Sequence, residues 1–359
     1  MIAGVLKETY PGESRVALVP AHIGSLKKKG FEIYVESGAG LDAGFTDAMY
    51  EAEGASVKDR KEVLSKSDVL LQVRALGSNS SSDSEDAGNL KNGAIVIAVM
   101  DSLTNKGPVE TLASSGAKSF ALELVPRISR AQSMDVLSSQ ANIAGYKAAL
   151  IAADSLPKMF PMMMTAAGTI TPASVLVVGA GVAGLQAIAT CNRLGAVVSA
   201  YDIRPAVKEQ VMSLGAKFVE LELETGEAED KGGYAKAMDE EFYKKQRELL
   251  AKVVAETDAV ITTAAVPGRK APILITSEMV AGMKPGSVVV DLAAETGGNC
   301  ELTEAGRTTE KNGVKIIGPV NIPSSVPFHA SQMYSKNITN LLSLMVKDGN
   351  IDINLEDEI

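Results

Sequence analysis

The sequence predicts an α/β protein of two doubly wound parallel sheets joined by two long helices. Short apolar runs alternate with helical patterns along the whole chain, the order of elements that builds parallel sheets covered by helices. At 359 residues the chain exceeds one ordinary core, so two domains are expected. Two long helical patterns, residues 136–154 and 331–347, stand where the chain would cross between the domains and return.

In the first third, residues 3–6, 31–35, 69–73, 94–100 and 120–124 read as strands, and residues 21–29, 46–53, 57–64 and 109–115 as helices. Residues 77–89, rich in Ser, Asn, Asp and Gly, read as a polar surface loop. After the first long helix comes Lys158-Met-Phe-Pro-Met-Met-Met164. Methionines fill irregular gaps, so core or inter-domain packing is expected there, with a binding surface as the alternative. Six strands follow, at residues 175–178, 197–201, 217–221, 259–263, 287–292 and 314–317. The domains are expected at 1–135 with 330–359 and at 136–329, with the site in the cleft between them.

The second domain opens on Val175-Leu-Val-Val-Gly-Ala-Gly-Val-Ala-Gly184. Gly179 suits a tight strand-to-helix turn, Gly181 a close approach of backbone to a pyrophosphate, and Gly184 close packing of helix on strand. The helix that starts at Val182 offers free N–H groups and a positive dipole to phosphates. Asp202 ends the next apolar run, 18 residues past Gly184, where a ribose-binding acid is expected. The reading is therefore a Rossmann-like domain that binds NAD(H), preceded by a flavodoxin-like or Rossmann-like domain. A tight βα turn without a ligand is the other reading of the glycines. Asp202 favours NAD over NADP, because it would repel a 2′-phosphate, whereas an arginine such as Arg204 is the residue type that welcomes one.

A net charge of −9 argues against nucleic acid, and 46% hydrophobic with 22% charged residues is a soluble globular composition. The cysteines, Cys191 and Cys300, have no metal or disulfide spacing, and Cys191 reads as a buried thiol. No apolar run approaches about 18 residues, and the N-terminus lacks the apolar core of a signal peptide, so a cytoplasmic compartment is expected.

Two stretches break the α/β pattern. Residues 126–135 join the domains and bring Arg127, Gln132 and Asp135 close to Ser138. A nicotinamide carboxamide presents one acceptor and two N–H donors, which an amide, a carboxylate and a hydroxyl can answer. A solvated linker with a helix cap is the alternative. Residues 222–245 are highly charged, with Gly232-Gly233 before Tyr234, a composition that suits a mobile flap over a ligand or, more plainly, a surface helix.

Taken together, the segment Lys7-Glu-Thr-Tyr-Pro-Gly-Glu-Ser-Arg-Val-Ala-Leu-Val-Pro20, residues 127–140, the glycine motif with Tyr201-Asp-Ile-Arg-Pro205, Gly232-Gly-Tyr-Ala235, Ile261-Thr-Thr-Ala264 and residues 283–300 resemble a known family. It is that of the NAD(H)-binding component, domain I of the alpha subunit, of the Re/Si-specific, proton-translocating nicotinamide nucleotide transhydrogenases. The resemblance covers essentially the whole chain. It implies that Arg127, Gln132, Asp135 and Ser138 surround the nicotinamide, where hydride is transferred. It also implies that Val182, Asp202, Ile203 and Arg204 hold the adenosine half, that Tyr234 beside Gly233 closes the flap, and that Gln246 and Ala265 line the pocket. The implied assembly is a homodimer that lies on the cytoplasmic side of the membrane and works with an NADP(H)-binding component and a membrane-spanning component that translocates protons.

Alanine dehydrogenase, the sister family, shares the fold and the Arg15 segment. It uses a lysine on the third strand, a histidine after the fourth and an aspartate in the Gly-Gly loop. This chain has Arg74 near the first position, no histidine in residues 94–105, and Glu295 near the third. Arginine cannot act as a base. Oxidation of an amine or alcohol needs a base, whereas hydride passing between nicotinamides releases no such proton. His22 and His329 are accordingly expected to be structural. A third reading is a non-catalytic NAD(H)-binding regulatory module.

Overall fold

The structure, a computed structural model, describes residues 1–79, 83–220 and 240–359. The chain divides into two units, Met1–Gln140 with Pro323–Ile359, and Ala141–Ile322.

In unit 1 the elements run β1 (Ile2–Val5), α1 (Pro20–Lys27), β2 (Glu32–Glu36), α2 (Asp47–Ala52), β3 (Ser56–Lys58), α3 (Arg60–Lys66), β4 (Val69–Arg74), α4 (Asp83–Gly88), β5 (Ile95–Val99), α5 (Gly107–Ser114) and β6 (Lys118–Ala121). The strands form one parallel sheet in the order β3-β2-β1-β4-β5-β6. Helices cover both faces of such a sheet, so its central strands are apolar on both sides. In β4, Val69, Leu70, Leu71 and Val73 are all fully buried.

Sequence and structure diverge at the edges of this sheet. The pattern predicts one helix over residues 57–64, but Ser56–Lys58 is an edge strand and α3 begins after Asp59, whose carboxylate accepts the Glu62 N–H at 2.8 Å. The polar segment 77–89 contains α4, and the strand expected at 120–124 lies earlier, giving way to a 3-10 turn at Leu122–Leu124.

A 3-10 helix, Ser129–Met134, leads into α6 (Val136–Ser155), and the boundary between the units falls inside α6. Unit 2 continues with a hairpin of β7 (Met163–Thr165) and β8 (Gly168–Ile170). The composition predicts packing for these methionines. Instead Met162, Met164 and Ile170 are 61%, 77% and 38% exposed.

Then follow β9 (Ser174–Val178), α7 (Val182–Arg193), β10 (Val197–Tyr201), α8 (Lys208–Ser213), β11 (Lys217–Phe218), α9 (Glu240–Glu256), β12 (Ala259–Thr262), α10 (Ser277–Ala281), β13 (Val288–Asp291), β14 (Arg307–Lys311) and β15 (Val314–Gly318). The sheet order is β11-β10-β9-β12-β13-β15-β14, parallel except for β14. That antiparallel edge strand is not among the six expected. Asn312 and Gly313, with φ of 53° and 77°, turn it into β15 as a two-residue hairpin loop.

The chain returns to unit 1 with α11 (Pro327–Leu344) and a short hairpin of β16 (Val346–Lys347) and β17 (Asn350–Ile351). The expected helix 331–347 thus starts earlier, with Pro327 in its first turn, and stops before Val346. Serines of α11 hold the segment after β1: Ser331 Oγ accepts the Val16 N–H, and Ser335 Oγ the Val19 N–H, both at 3.0 Å. His22 Nδ1 lies 2.8 Å from Ser335 Oγ, a structural contact.

Candidate functional site: a glycine turn and a capped polar segment

In unit 2, β9 ends in the glycine turn. Gly179 has φ of 96°, and a Cβ there would lie 2.7 Å from Thr263 Oγ1, so conformation and space both require glycine. A Cβ on Gly184 would stand 1.8 Å from the Gly179 carbonyl, which fixes how closely α7 meets β9. Gly181 is different: a Cβ there would meet no described atom within 4 Å. It caps α7 without a side-chain hydrogen bond, so the N–H groups of the first turn, beginning at half-buried Val182, are offered to a ligand. This open face at a helix start is the observation on which a dinucleotide phosphate fits the turn.

Asp202 follows β10 and is buried. Its Oδ2 accepts from Ala180 N at 2.7 Å and Arg204 Nη2 at 2.8 Å, and its Oδ1 from Arg204 N at 2.8 Å and Arg204 Nε at 2.9 Å. The carboxylate therefore ties the glycine turn to the 202–204 segment, with half-buried Ile203 between its two ends. Beneath it, Gln246 Nε2 donates to the Tyr201 hydroxyl at 2.7 Å, while the buried Gln246 Oε1 has no partner among the described residues. An acceptor left unpaired in the interior is costly unless a ligand donor meets it. Ala265 is exposed just past β12. Gly233 and Tyr234, the expected flap, lie outside the described residues.

In unit 1, Asp135 stands immediately before α6. Its Oδ1 accepts the Ser138 N–H at 2.8 Å and its Oδ2 the Ser138 hydroxyl at 2.6 Å, a helix cap. Arg127 Nε lies 3.8 Å from Asp135 Oδ2, so three of the four expected residues come together. Gln132 is exposed on the adjoining 3-10 helix. That helix is anchored by α11: Asn337 and Asn340 both donate to the Ser133 carbonyl, at 2.9 and 3.0 Å. Arg130 adds a two-point pair with Asp357. The linker-and-cap reading and the binding reading describe the same residues, since a capped, anchored segment also holds Arg127 and Gln132 in place.

At the position considered for a dehydrogenase base, Arg74 Nη1 donates to Asp101 Oδ2 at 2.8 Å. Glu295 is exposed on the loop after β13.

Sequence reasoning missed several residues of this region. Thr263 Oγ1 donates to the Gly179 carbonyl at 2.9 Å. Gly145 of α6 faces Ala183, whose carbonyl would stand 2.1 Å from a Cβ on it, so α6 packs directly on the first turn of α7. The buried pair Asp291 and Asn299 organises the loop after β13. The available signal was a polar residue closing an all-apolar strand: Thr263 after β12 and Asp291 at the end of β13.

Comparison with known proteins agrees with this architecture. The family described as "Alanine dehydrogenase/PNT, N-terminal domain" matches residues 4–144, and "Alanine dehydrogenase/PNT, C-terminal domain" matches residues 148–359. The chain is 50% identical, over all of its own length and 94% of the relative's, to an NAD(P) transhydrogenase subunit alpha protein of Rhodospirillum rubrum. It is 30% identical to the alanine dehydrogenase of Mycobacterium tuberculosis, over 91% of this chain and 82% of that one. The solved transhydrogenase from Sinorhizobium meliloti superposes with a TM-score of 0.89 at 48% identity, covering 100% of this chain and 96% of the other. The chain belongs to the alanine dehydrogenase/PNT family.

Proposed function

We propose that this chain is the NAD(H)-binding component of a proton-translocating transhydrogenase. NADH, when bound, supplies a hydride to NADP+ held on a partner component, and a membrane-spanning component couples that transfer to proton movement. The observation that carries the reading is the 50% identity to a transhydrogenase alpha subunit along the whole chain, against 30% to an alanine dehydrogenase. The chemistry supports it: Arg74, paired with Asp101, supplies no base, and hydride exchange between nicotinamides needs positioning rather than proton transfer.

The chain's own residues divide the task. Gly179, Gly181, Val182 and Gly184 receive the phosphates; Asp202, Ile203, Arg204, Gln246 and Ala265 receive the adenosine half, and Gly233 with Tyr234 closes over it. Arg127, Gln132, Asp135 and Ser138 orient the nicotinamide. NAD(H) is preferred to NADP(H), since the Arg204 guanidinium is committed to Asp202 and the carboxylate repels a 2′-phosphate. The component acts as a homodimer on the cytoplasmic face of the membrane. The exposed Met162, Met164 and Ile170 around the β7–β8 hairpin support self-association, an apolar surface suited to a second copy. No helix among the described residues is long and apolar enough to cross a bilayer, and the proton path is assigned to the membrane component.

Mixed with a purified NADP(H)-binding component, the chain is expected to transfer hydride from NADH to an NADP analogue, and to give no NADH from NAD and L-alanine. Gln132→Asn shortens the reach of one amide and is expected to slow transfer by roughly 10- to 100-fold, with a much smaller change in NADH affinity. An inactive mixture in which both proteins bind their nucleotides, beside an active control pair, would favour the regulatory module. Steady alanine oxidation would favour the dehydrogenase.

A further inference from the structure

The wall against which the glycine turn packs is the main chain just past β12. Besides the Thr263 bond to Gly179, Thr263 Oγ1 lies 3.1 Å from where a Cβ on Gly184 would stand, and Ala264 N lies 3.1 Å from where one on Gly179 would. A shift of this wall by a few tenths of an ångström is therefore felt in the turn, because close-packed interiors transmit displacement.

Asn299 holds the wall in place, and it is fully buried. Its Oδ1 accepts the Ala264 N–H at 2.9 Å, while its Nδ2 donates to the Ala264 carbonyl at 2.8 Å and to the Pro272 carbonyl at 2.9 Å. The side-chain amide thus pairs with both polar groups of one residue, as a neighbouring strand would. Its own main chain is equally fixed: the N–H donates to Asp291 Oδ2 at 2.7 Å, and the carbonyl accepts from Leu274 and Ile275 N–H at 2.8 and 3.0 Å. Asp291 is buried and saturated, accepting also from the Thr262 hydroxyl at 2.9 Å, Ala293 N at 3.0 Å, Cys300 N at 2.9 Å and the Thr303 hydroxyl at 2.6 Å. A carboxylate with this many donors is a rigid anchor.

We propose that Asn299, seated on Asp291, is a positioning residue for nucleotide binding. It fixes the main chain from Thr263 to Ala265 and, through it, the turn from Gly179 to Gly184, and so sets NADH affinity without touching the nucleotide. The inference rests on the reading of that turn as the NAD(H) site.

The test is NADH titration of the wild-type full chain, Asn299→Asp and Thr303→Val, each with a circular dichroism spectrum and with KM and kcat for transfer. Asn299→Asp keeps the shape but turns an acceptor toward the Ala264 and Pro272 carbonyls. It is expected to raise the NADH Kd about 10- to 100-fold and the KM for NADH in parallel, with kcat at saturation nearly unchanged. A purely structural role would lower the melting temperature and leave the Kd of the folded protein alone, and that result overturns the proposal. Should Asn299→Asp fail to fold, Thr303→Val decides, since it removes one donor from Asp291 and leaves Asn299 intact. About two- to fivefold weaker NADH binding supports the proposal, and wild-type affinity overturns it. Wild-type protein that binds no NADH overturns the NAD(H) reading along with it, whereas a binding wild type with unaffected variants overturns this inference alone.

Discussion

The two units order their first five strands identically, third-second-first-fourth-fifth, yet they use the same place in opposite ways. In such sheets the crevice lies at the carboxyl ends of the strands, where the order reverses between the first strand and the fourth. In unit 2 the chain leaves β9 through Gly179, Ala180 and Gly181, and no side chain fills the space before α7. In unit 1 it leaves β1 through Lys7 and Glu8, and Glu8 folds onto the end of β4, accepting the N–H groups of Val73 and Arg74 at 2.7 and 3.0 Å. Glu13 and Arg15 then form a buried two-point pair, at 2.7 and 2.6 Å, with Gln140 Oε1 2.9 Å from the guanidinium. Topology provides a crevice in both units. The residues of the turn decide whether the protein fills it with its own charges or leaves it for a nucleotide.

The sharpest way to break this comparison is to empty the crevice of unit 1. Arg15→Met leaves Glu13 buried without its main partner and is expected to cost about 3–5 kcal/mol of stability, read as a drop in the urea midpoint. NADH affinity of the folded fraction should stay within about twofold of wild type, a change near the size expected for remote sites. If the cluster were a ligand site kept at the expense of stability, the same substitution would leave stability unchanged or raise it.

The next largest effects come from the glycine turn itself. Gly184→Ala forces a Cβ against the Gly179 carbonyl and is expected to cost about 1–3 kcal/mol as α7 is pushed off β9. Gly181→Ala adds a methyl to open space, so stability should hardly change while NADH affinity falls roughly tenfold, the methyl standing where the phosphates approach. The two alanines therefore separate packing from binding within four residues. Equal affinity for Gly181→Ala and wild type would remove the pyrophosphate from this turn.

These contrasts also show how much could be read in the sequence. Central strands such as Val69–Arg74 and Ser174–Val178 were legible because burial on both faces writes a continuous apolar run. The glycine turn was legible because its three positions each need the absence of a Cβ or room for a ligand. Edge strands were not: Ser56–Lys58 is three residues long, and Arg307–Lys311 carries no apolar residue, although Asn312-Gly313 after it marks a hairpin. The exposed methionines of residues 162–164 misled because composition tells that a surface is apolar and not what covers it. Asn299 was hidden for another reason: its partners, Ala264 and Pro272, are main-chain groups 35 and 27 residues away, and no spacing rule reaches them.

The smallest expected effect lies at the opposite end of the unit 2 sheet, where it serves as a control on the glycine turn. Asp258 precedes β12 and anchors the start of β9, with its Oδ2 accepting from Ser174 N at 2.8 Å, the Ser174 hydroxyl at 3.0 Å and Lys158 Nζ at 2.7 Å. Burial pushes its carboxyl up, but the Lys158 ammonium and the two Ser174 donors outweigh that, and the group ends below its ordinary value of 3.8. A carboxyl depressed in the folded state adds stability that is present above 3.8 and lost as pH falls through the lower, folded value. Lys158 is 38% exposed, so solvent screens the pair, and Lys158→Met is expected to cost about 1 kcal/mol or less at pH 7. The gap between the two proteins in urea midpoint should narrow below about pH 4, as the wild-type carboxylate takes up its proton. NADH affinity at pH 7 should not move, because the amino ends of the strands face away from the crevice. A gap that persists unchanged at about pH 3 would assign the contribution of Lys158 to packing of its methylene stem rather than to its charge.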